Sequence, residues 1–368
     1  MLPHDSIHRD RLLNLFLDLV RIDSPSGHEA AISQHLLGRL QDLGCAVEQD
    51  GVGNLIARLP GQGEETILLS CHMDTVGSDT GIIPVIRDGV IYSEGPTILG
   101  GDDKSGVAII LETLTLLAEH PDWPHPPLEI VITVSEELGL WGARQLDAGR
   151  LQAAWGVVLD AGGPIGTLVY SAPSQNRIEA TVHGKKAHAG SEPENGVNAI
   201  VAAAAAIAAM PLGRIDDETT ANIGVIHGGE ATNIVPDRVT LYGEARSRDT
   251  TRLAAQTEAM VSALQSAASE RGATISVEVI PLYHTYRLTP DQRPYAAAVR
   301  AIERLGLVVR PRMAGGGTDG NIYTNAGIPC VVLSTGMAQV HTPDEHIAIQ
   351  DMVDAARVLM ALLTDPGA

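Results

Sequence analysis

Four strand-length apolar runs, at residues 66–70, 130–134, 157–159 and 330–333, constrain most strongly what this chain can fold into. Each is apolar at consecutive rather than alternate positions, which suits strands buried on both faces of a helix-covered sheet. Helical patterns lie around them. Residues 12–20 and 30–43 precede the first run, and residues 107–117 separate the first two. Near the end, Ile349, Met352, Val353, Ala356, Met360 and Leu363 recur at helical spacing. The helix over 30–43 is expected to open on a capping box from Ser26 to Glu29 and to stop at Gly44. This is an α/β pattern.

Residues 174–284 read differently. Strand patterns over 177–182, 221–226, 238–245 and 274–280 interleave with helices over 198–210 and 251–271. The order β-α-β-β-α-β predicts a small ferredoxin-like open-faced sandwich with its own sheet. It would be inserted into a larger domain formed by residues 1–173 and 285–368, and 368 residues leave room for two such units.

Composition narrows the partners. Hydrophobic residues make up 44% and charged residues 19%, enough to bury a core. The net charge of −20 argues against a nucleic-acid partner and weakly against anionic membranes. The longest weakly polar run, 199–212, is Ala-rich, ends beside Pro211, and is too short to span a bilayer, which takes about 20 apolar residues. The first residues lack a basic-then-apolar leader. Cys45, Cys71 and Cys330 are odd in number and widely spaced, which fits a cytoplasmic location and excludes a thiolate zinc site.

The chemistry sits where the apolar runs end. Residues 66–70 run into Cys71-His72-Met73-Asp74, residues 130–134 into Ser135-Glu136-Glu137, and residues 157–159 into Asp160. The last run precedes a loop that reaches His341. In open α/β sheets ligands bind at the carboxyl ends of strands. Singly, each residue has a plain reading: a surface loop, a solvated helix start, a turn cap. Together they point to one site holding His72, Asp102, Glu136, Glu137, Asp160 and His341. Four carboxylates at close quarters repel one another, and two divalent cations would neutralise them. Imidazole with carboxylate suits zinc, cobalt or manganese. Such a pair, about 3.5–4 Å apart, needs a bridging carboxylate and a bridging water. Lys104 reads as a structural ion pair, and 315–321 as a flexible Gly-rich loop.

The segments Ser70-Cys-His-Met-Asp-Thr75, Gly101-Asp-Asp-Lys104, Ser135-Glu-Glu137, Asp160-Ala-Gly162 and His341-Thr-Pro343 resemble the M20 family of di-zinc metallopeptidases, and within it the peptidase T (tripeptide aminopeptidase) group. The resemblance spans nearly the whole chain. It implies a zinc-peptidase-like catalytic domain with a mixed central sheet, an inserted lid and dimerisation domain, and a homodimer. It implies that Asp102 bridges two metals, that His72 and Asp160 complete one site, and that Glu137 and His341 complete the other. Asp74 would orient His72, Glu136 would be the general base, and the Asp102–Asp103 peptide would be cis. Gly184-Lys-Lys-Ala-His188 is similar to the family's lid loop, whose histidine reaches the partner subunit's active site to steady the oxyanion. Asn233 and Arg246 match lid segments that hold substrate backbone and carboxylate. Aspartate at position 160 resembles the aminopeptidases and dipeptidases, whereas glutamate there accompanies carboxypeptidases and deacylases. The expected activity is therefore removal of the N-terminal residue from a short peptide. The alternatives are hydrolysis of N-acyl amino acids, a carboxypeptidase activity, a large-assembly aminopeptidase, and a non-catalytic metal-bound interaction protein.

Overall fold

The structure is a computed structural model that describes residues 2–365. The chain divides into two units, Met1–Ser171 with Arg287–Ala314 and Thr318–Ala368, and Ala172–Tyr286 with Gly315–Gly317.

The first unit is built on a mixed sheet. Its strands lie in the order Ala46–Gln49, Leu55–Leu59, Leu128–Thr133, Thr66–His72, Ala153–Ala161, Cys330–Ser334 and Thr167–Ala172. The strands Leu128–Thr133, Thr66–His72, Ala153–Ala161 and Cys330–Ser334 are parallel neighbours, so their carboxyl ends share one edge. Leu55–Leu59 and Thr167–Ala172 run antiparallel on either side. Every residue of Leu128–Thr133 is buried, as is Ile67 through His72, which accounts for the uninterrupted apolar runs.

Helix Gly101–Glu119 packs on the strands Thr66–His72 and Ala153–Ala161. Gly106 permits this approach, since a Cβ there would stand 2.4 Å from the Leu159 carbonyl oxygen. Helix Ile349–Leu363 packs on Gly101–Glu119 and matches the 3.6-residue spacing of its apolar residues. Helix Ala30–Asp42 ends before Gly44, whose φ is +81°. Its expected capping box does not form: Ser26 Oγ donates to Asp74 Oδ2 at 2.7 Å instead, and Glu29 turns to backbone outside the helix. A buried acidic acceptor outcompetes the local helix terminus for the hydroxyl.

The second unit is a four-stranded antiparallel sheet in the order Thr219–Gly228, Arg238–Ser247, Ser174–His183, Thr274–Tyr283, with Gly213–Arg214 on the outer edge. Helices Ala199–Ala209 and Thr250–Glu270 are started by the side chains of Asn198 and Asp249. They cover one face. Ile178, Ala180 and Val182 point into that core beside Leu241, Ala245 and Met260, while the alternate residues Glu179, Thr181 and Tyr242 take the other face. Among the described residues no helix is long and apolar enough to cross a membrane.

Candidate metal centre and active site

The shared strand edge concentrates the ionisable groups. His72 ends its strand, Asp160 stands one residue from the end of Ala153–Ala161, and Glu136–Leu138 forms a short turn just beyond Leu128–Thr133. Asp102 lies at the start of helix Gly101–Glu119, where Asp102 and Asp103 depart from helical torsions and their shared peptide is cis. His341, at φ +65°, sits in the loop after Cys330–Ser334.

Asp102 stands at the centre of these groups. Its Oδ1 lies 3.2 Å from His72 Nε2, and its Oδ2 lies 3.1 Å from His341 Nε2. His72 Nε2 is also 3.8 Å from Asp160 Oδ1, and His341 Nε2 is 2.8 Å from Glu137 Oε1. Ligand atoms of His72, Asp102 and Asp160 fall within 4.8 Å of one another, as do those of Asp102, Glu137 and His341, and those of His72, Glu136 and Glu137. One aspartate thus offers one oxygen to each of two histidine–carboxylate pairs.

The surroundings fix how these side chains point. His72 Nδ1 is 3.0 Å from the Asp74 carbonyl oxygen, which can only accept. Nδ1 therefore carries a proton, and Nε2 is the nitrogen turned to Asp102 and Asp160. Asp74 also accepts from the Glu136 and Glu137 amides, at 2.9 and 3.3 Å. Glu345, buried four residues after His341, accepts from the amides of Leu99, Gly100 and Asp102 and so anchors the turn that presents Asp102.

The electrostatics of the cluster demand positive charge. Burial by itself would lower the His72 pKa, but Asp102 and Asp74 drive it well above the ordinary value. Hydrogen bonds to Asp102 and Glu137 push His341 up to about 10. Burial raises the carboxyls of Glu136 and Asp160, and neighbouring carboxylates raise them further. Burial works the same way on Asp102, yet His341 and His72 hold it below the usual carboxylate range. No lysine or arginine ion-pairs with these carboxylates among the described residues. Glu137 Oε1 is buried and, among the described residues, meets only the His341 imidazole, at 2.8 Å. Carboxylate oxygens and imidazoles that converge in this way, with no lysine or arginine among them, fit divalent metal ions of the zinc, cobalt or manganese type.

Lys104 corrects an expectation. It is fully buried, and its Nζ donates at 2.7 Å to the Ile22 carbonyl rather than to a carboxylate. Burial lowers its pKa from 10.5 to about 8, although the charges of Asp23 and Glu345 oppose this. Between those values the unfolded chain binds more protons than the folded one, so this lysine's contribution to stability rises with pH across that window. The stability advantage of wild type over Lys104→Met should therefore grow from pH 8 to pH 10 in urea titrations, and a difference independent of pH would refute the assignment.

The Gly-rich stretch also differs from expectation. Gly315–Gly317 belongs with the second unit, where the Gly317 amide donates to Tyr283 Oη at 3.1 Å. The next residues are not loop: Thr318 caps helix Asp319–Asn325 with a complete capping box. Asp319 is buried, takes a 2.5 Å hydrogen bond from Thr133 Oγ1, and has its pKa raised to about 6 by burial.

The remaining candidates belong to the second unit. His188 is exposed, and its Nδ1 accepts from the amides of Gly190 and Ser191, both at 3.1 Å. The ring proton is thereby assigned to Nε2, which is turned outward as a donor. The Asn233 carbonyl takes the Ala189 amide at 3.0 Å, so the 184–190 and 231–236 loops are joined. Arg246 is half-buried and already held by Glu244, with Nε and Nη2 donating to the two carboxylate oxygens at 2.8 and 2.9 Å.

Known proteins share this arrangement of fold and chain. Residues 68–365 match the profile of Peptidase family M20/M25/M40. The uncharacterized protein YqjE of Bacillus subtilis is 40% identical over 98% of this chain and 99% of its own length. The crystal structure of the aminopeptidase PepT from Bacillus cereus superposes with a TM-score of 0.85 at 42% identity, covering 97% of this chain and 98% of that one. That of a tripeptidase from Staphylococcus aureus gives a TM-score of 0.90 at 40% identity with the same coverage. The chain belongs to peptidase family M20/M25/M40, on its peptidase T-like branch, and is a peptide hydrolase.

Proposed function

We propose that this chain is a metal-dependent aminopeptidase that removes the N-terminal residue from short peptides, tripeptides foremost, with two zinc ions as its native cofactor. The observation that carries the reading is Asp102, whose two oxygens face His72 with Asp160 on one side and His341 with Glu137 on the other. Support for the substrate class comes from the aminopeptidase and tripeptidase relatives, each about as long as this chain.

Asp102, His72, Asp160, Glu137 and His341 would hold the two ions. Bound there, the ions would acidify a shared water and polarise the scissile carbonyl. Asp74 keeps His72 in its Nδ1–H form. Glu136 accepts the proton of the attacking water and returns it to the leaving amine. His188 of a second copy donates its Nε2–H to the developing oxyanion, which makes the homodimer the active form. Asn233 binds the peptide backbone and Arg246 the peptide carboxylate. The enzyme would act in the cytoplasm.

The test is a mass-spectrometric screen of free tripeptides, N-acetylated tripeptides and N-acetyl amino acids against zinc-loaded protein. Release of the first residue from free tripeptides alone is the expected result. Cleavage confined to the acetylated compounds would replace this reading with a deacylase.

A further inference from the structure

We infer that Glu29 is a positioning residue for the turn that carries Glu136 and Glu137, an inference resting on the roles proposed for those two glutamates. Glu29 lies just before helix Ala30–Asp42 and is 8% exposed. Its Oε1 accepts three hydrogen bonds: from the Gly27 amide at 2.8 Å, from the Ser135 amide at 3.0 Å and from Ser135 Oγ at 2.8 Å. Ser135 is the residue on which the strand Leu128–Thr133 turns into Glu136–Leu138. It adopts φ +50° and ψ +39°, a left-handed conformation that side chains other than glycine rarely take.

The next two amides are also claimed by a carboxylate. Glu136 N donates to Asp74 Oδ1 and Glu137 N to Asp74 Oδ2, and Ser26 Oγ holds the same Oδ2 at 2.7 Å. Three consecutive N–H groups are thus pinned by Glu29 and Asp74, two acids from different parts of the chain. Pinning the backbone fixes where the two glutamate side chains leave it. Glu136 and Glu137 share a cluster with His72, while Glu137 reaches on to His341. Asp74 also touches His72, so its loss would disturb the ligand set directly. Glu29 contacts none of the five ligands and acts only through the left-handed turn. Without its oxygen, the buried Ser135 amide and hydroxyl lose their acceptor and the turn is free to relax.

Two variants separate positioning from bulk stability. Glu29→Gln keeps the side-chain length and a carbonyl oxygen that can take the same donors. Glu29→Asp keeps the charge but withdraws the oxygen by one methylene. Each protein would be titrated with Co2+ by visible absorption, assayed for kcat and KM on a free tripeptide, and melted without metal. The expected result for Glu29→Asp is a kcat lowered roughly 10- to 100-fold at near-constant KM, with Co2+ bound more weakly at one of the two sites by a similar factor. Glu29→Gln should retain nearly full kcat and Co2+ affinity, and the metal-free melting temperatures should stay close to wild type. Wild-type kcat and Co2+ titration in Glu29→Asp would overturn the inference. So would equal losses in both variants accompanied by lowered melting temperatures. If wild type binds Co2+ but cleaves no peptide, the proposed activity fails while the Co2+ titrations still decide the role of Glu29.

Discussion

Glu136→Ala should keep both metal ions and lose activity by roughly 10²–10⁴-fold, the range that a general acid–base group supplies. Glu136 belongs to neither of the two clusters that contain Asp102, although it neighbours His72 and Glu137. It is buried beside His72 and Glu137, and its backbone amide is fixed by Asp74. Its removal therefore subtracts proton transfer without unseating Asp102, His341 or Asp160. Metal content by mass spectrometry of the purified variant and kcat on a free tripeptide check this together. Turnover near wild type would show that the proton leaves by another route. Loss of metal would show that Glu136 is a ligand rather than a base.

Asp102→Ala should have the larger effect on metal and an equally severe one on activity. Its two oxygens are divided between the histidines: Oδ1 meets His72 and Oδ2 meets His341. Without it, each ion would keep one imidazole and one carboxylate, fewer than the three protein ligands usual for catalytic zinc. The expected result is loss of bound zinc and activity at background. The variant should still fold, because it removes one buried carboxylate from a crowd of them and the desolvation that burial imposes on it. A variant that retained two zinc ions per chain would show that Asp102 is not the bridge.

Much of this arrangement is legible in the amino-acid sequence. Strands buried on both faces leave uninterrupted apolar runs, and those runs end where the sheet offers its carboxyl edge. The position after each run is therefore enough to single out His72, Glu136, Glu137 and Asp160. The β-α-β-β-α-β order of the second unit follows from the alternation that leaves Ile178, Ala180 and Val182 on one side of a strand. His341 lies further along the loop after the last run, Asp102 follows no run of its own, and their expected roles come only from the resemblance to the family.

The residues that hold the ligands are harder to read. Glu29 satisfies a helix-start pattern by spacing, yet its carboxylate is engaged with Ser135, more than a hundred residues away in sequence. Glu345 holds backbone amides around Asp102, and nothing about its spacing announces that. Lys104 next to two aspartates reads as an ion pair, but its stem runs into the core and ends on the Ile22 carbonyl. Asp319 hides behind three glycines that suggest a loop, although Thr318 with Asn321 is the capping signal for a helix. Side chains that serve backbone amides leave little trace in sequence, because their partners are set by tertiary contact and not by a repeat.

Anomalous diffraction at the zinc edge from crystals of zinc-loaded protein tests the two-ion centre most directly. The account predicts two peaks about 3.5–4 Å apart, with Asp102 between them. One should be bounded by His72 and Asp160, the other by Glu137 and His341. A single peak, or two peaks that Asp102 does not join, would contradict it.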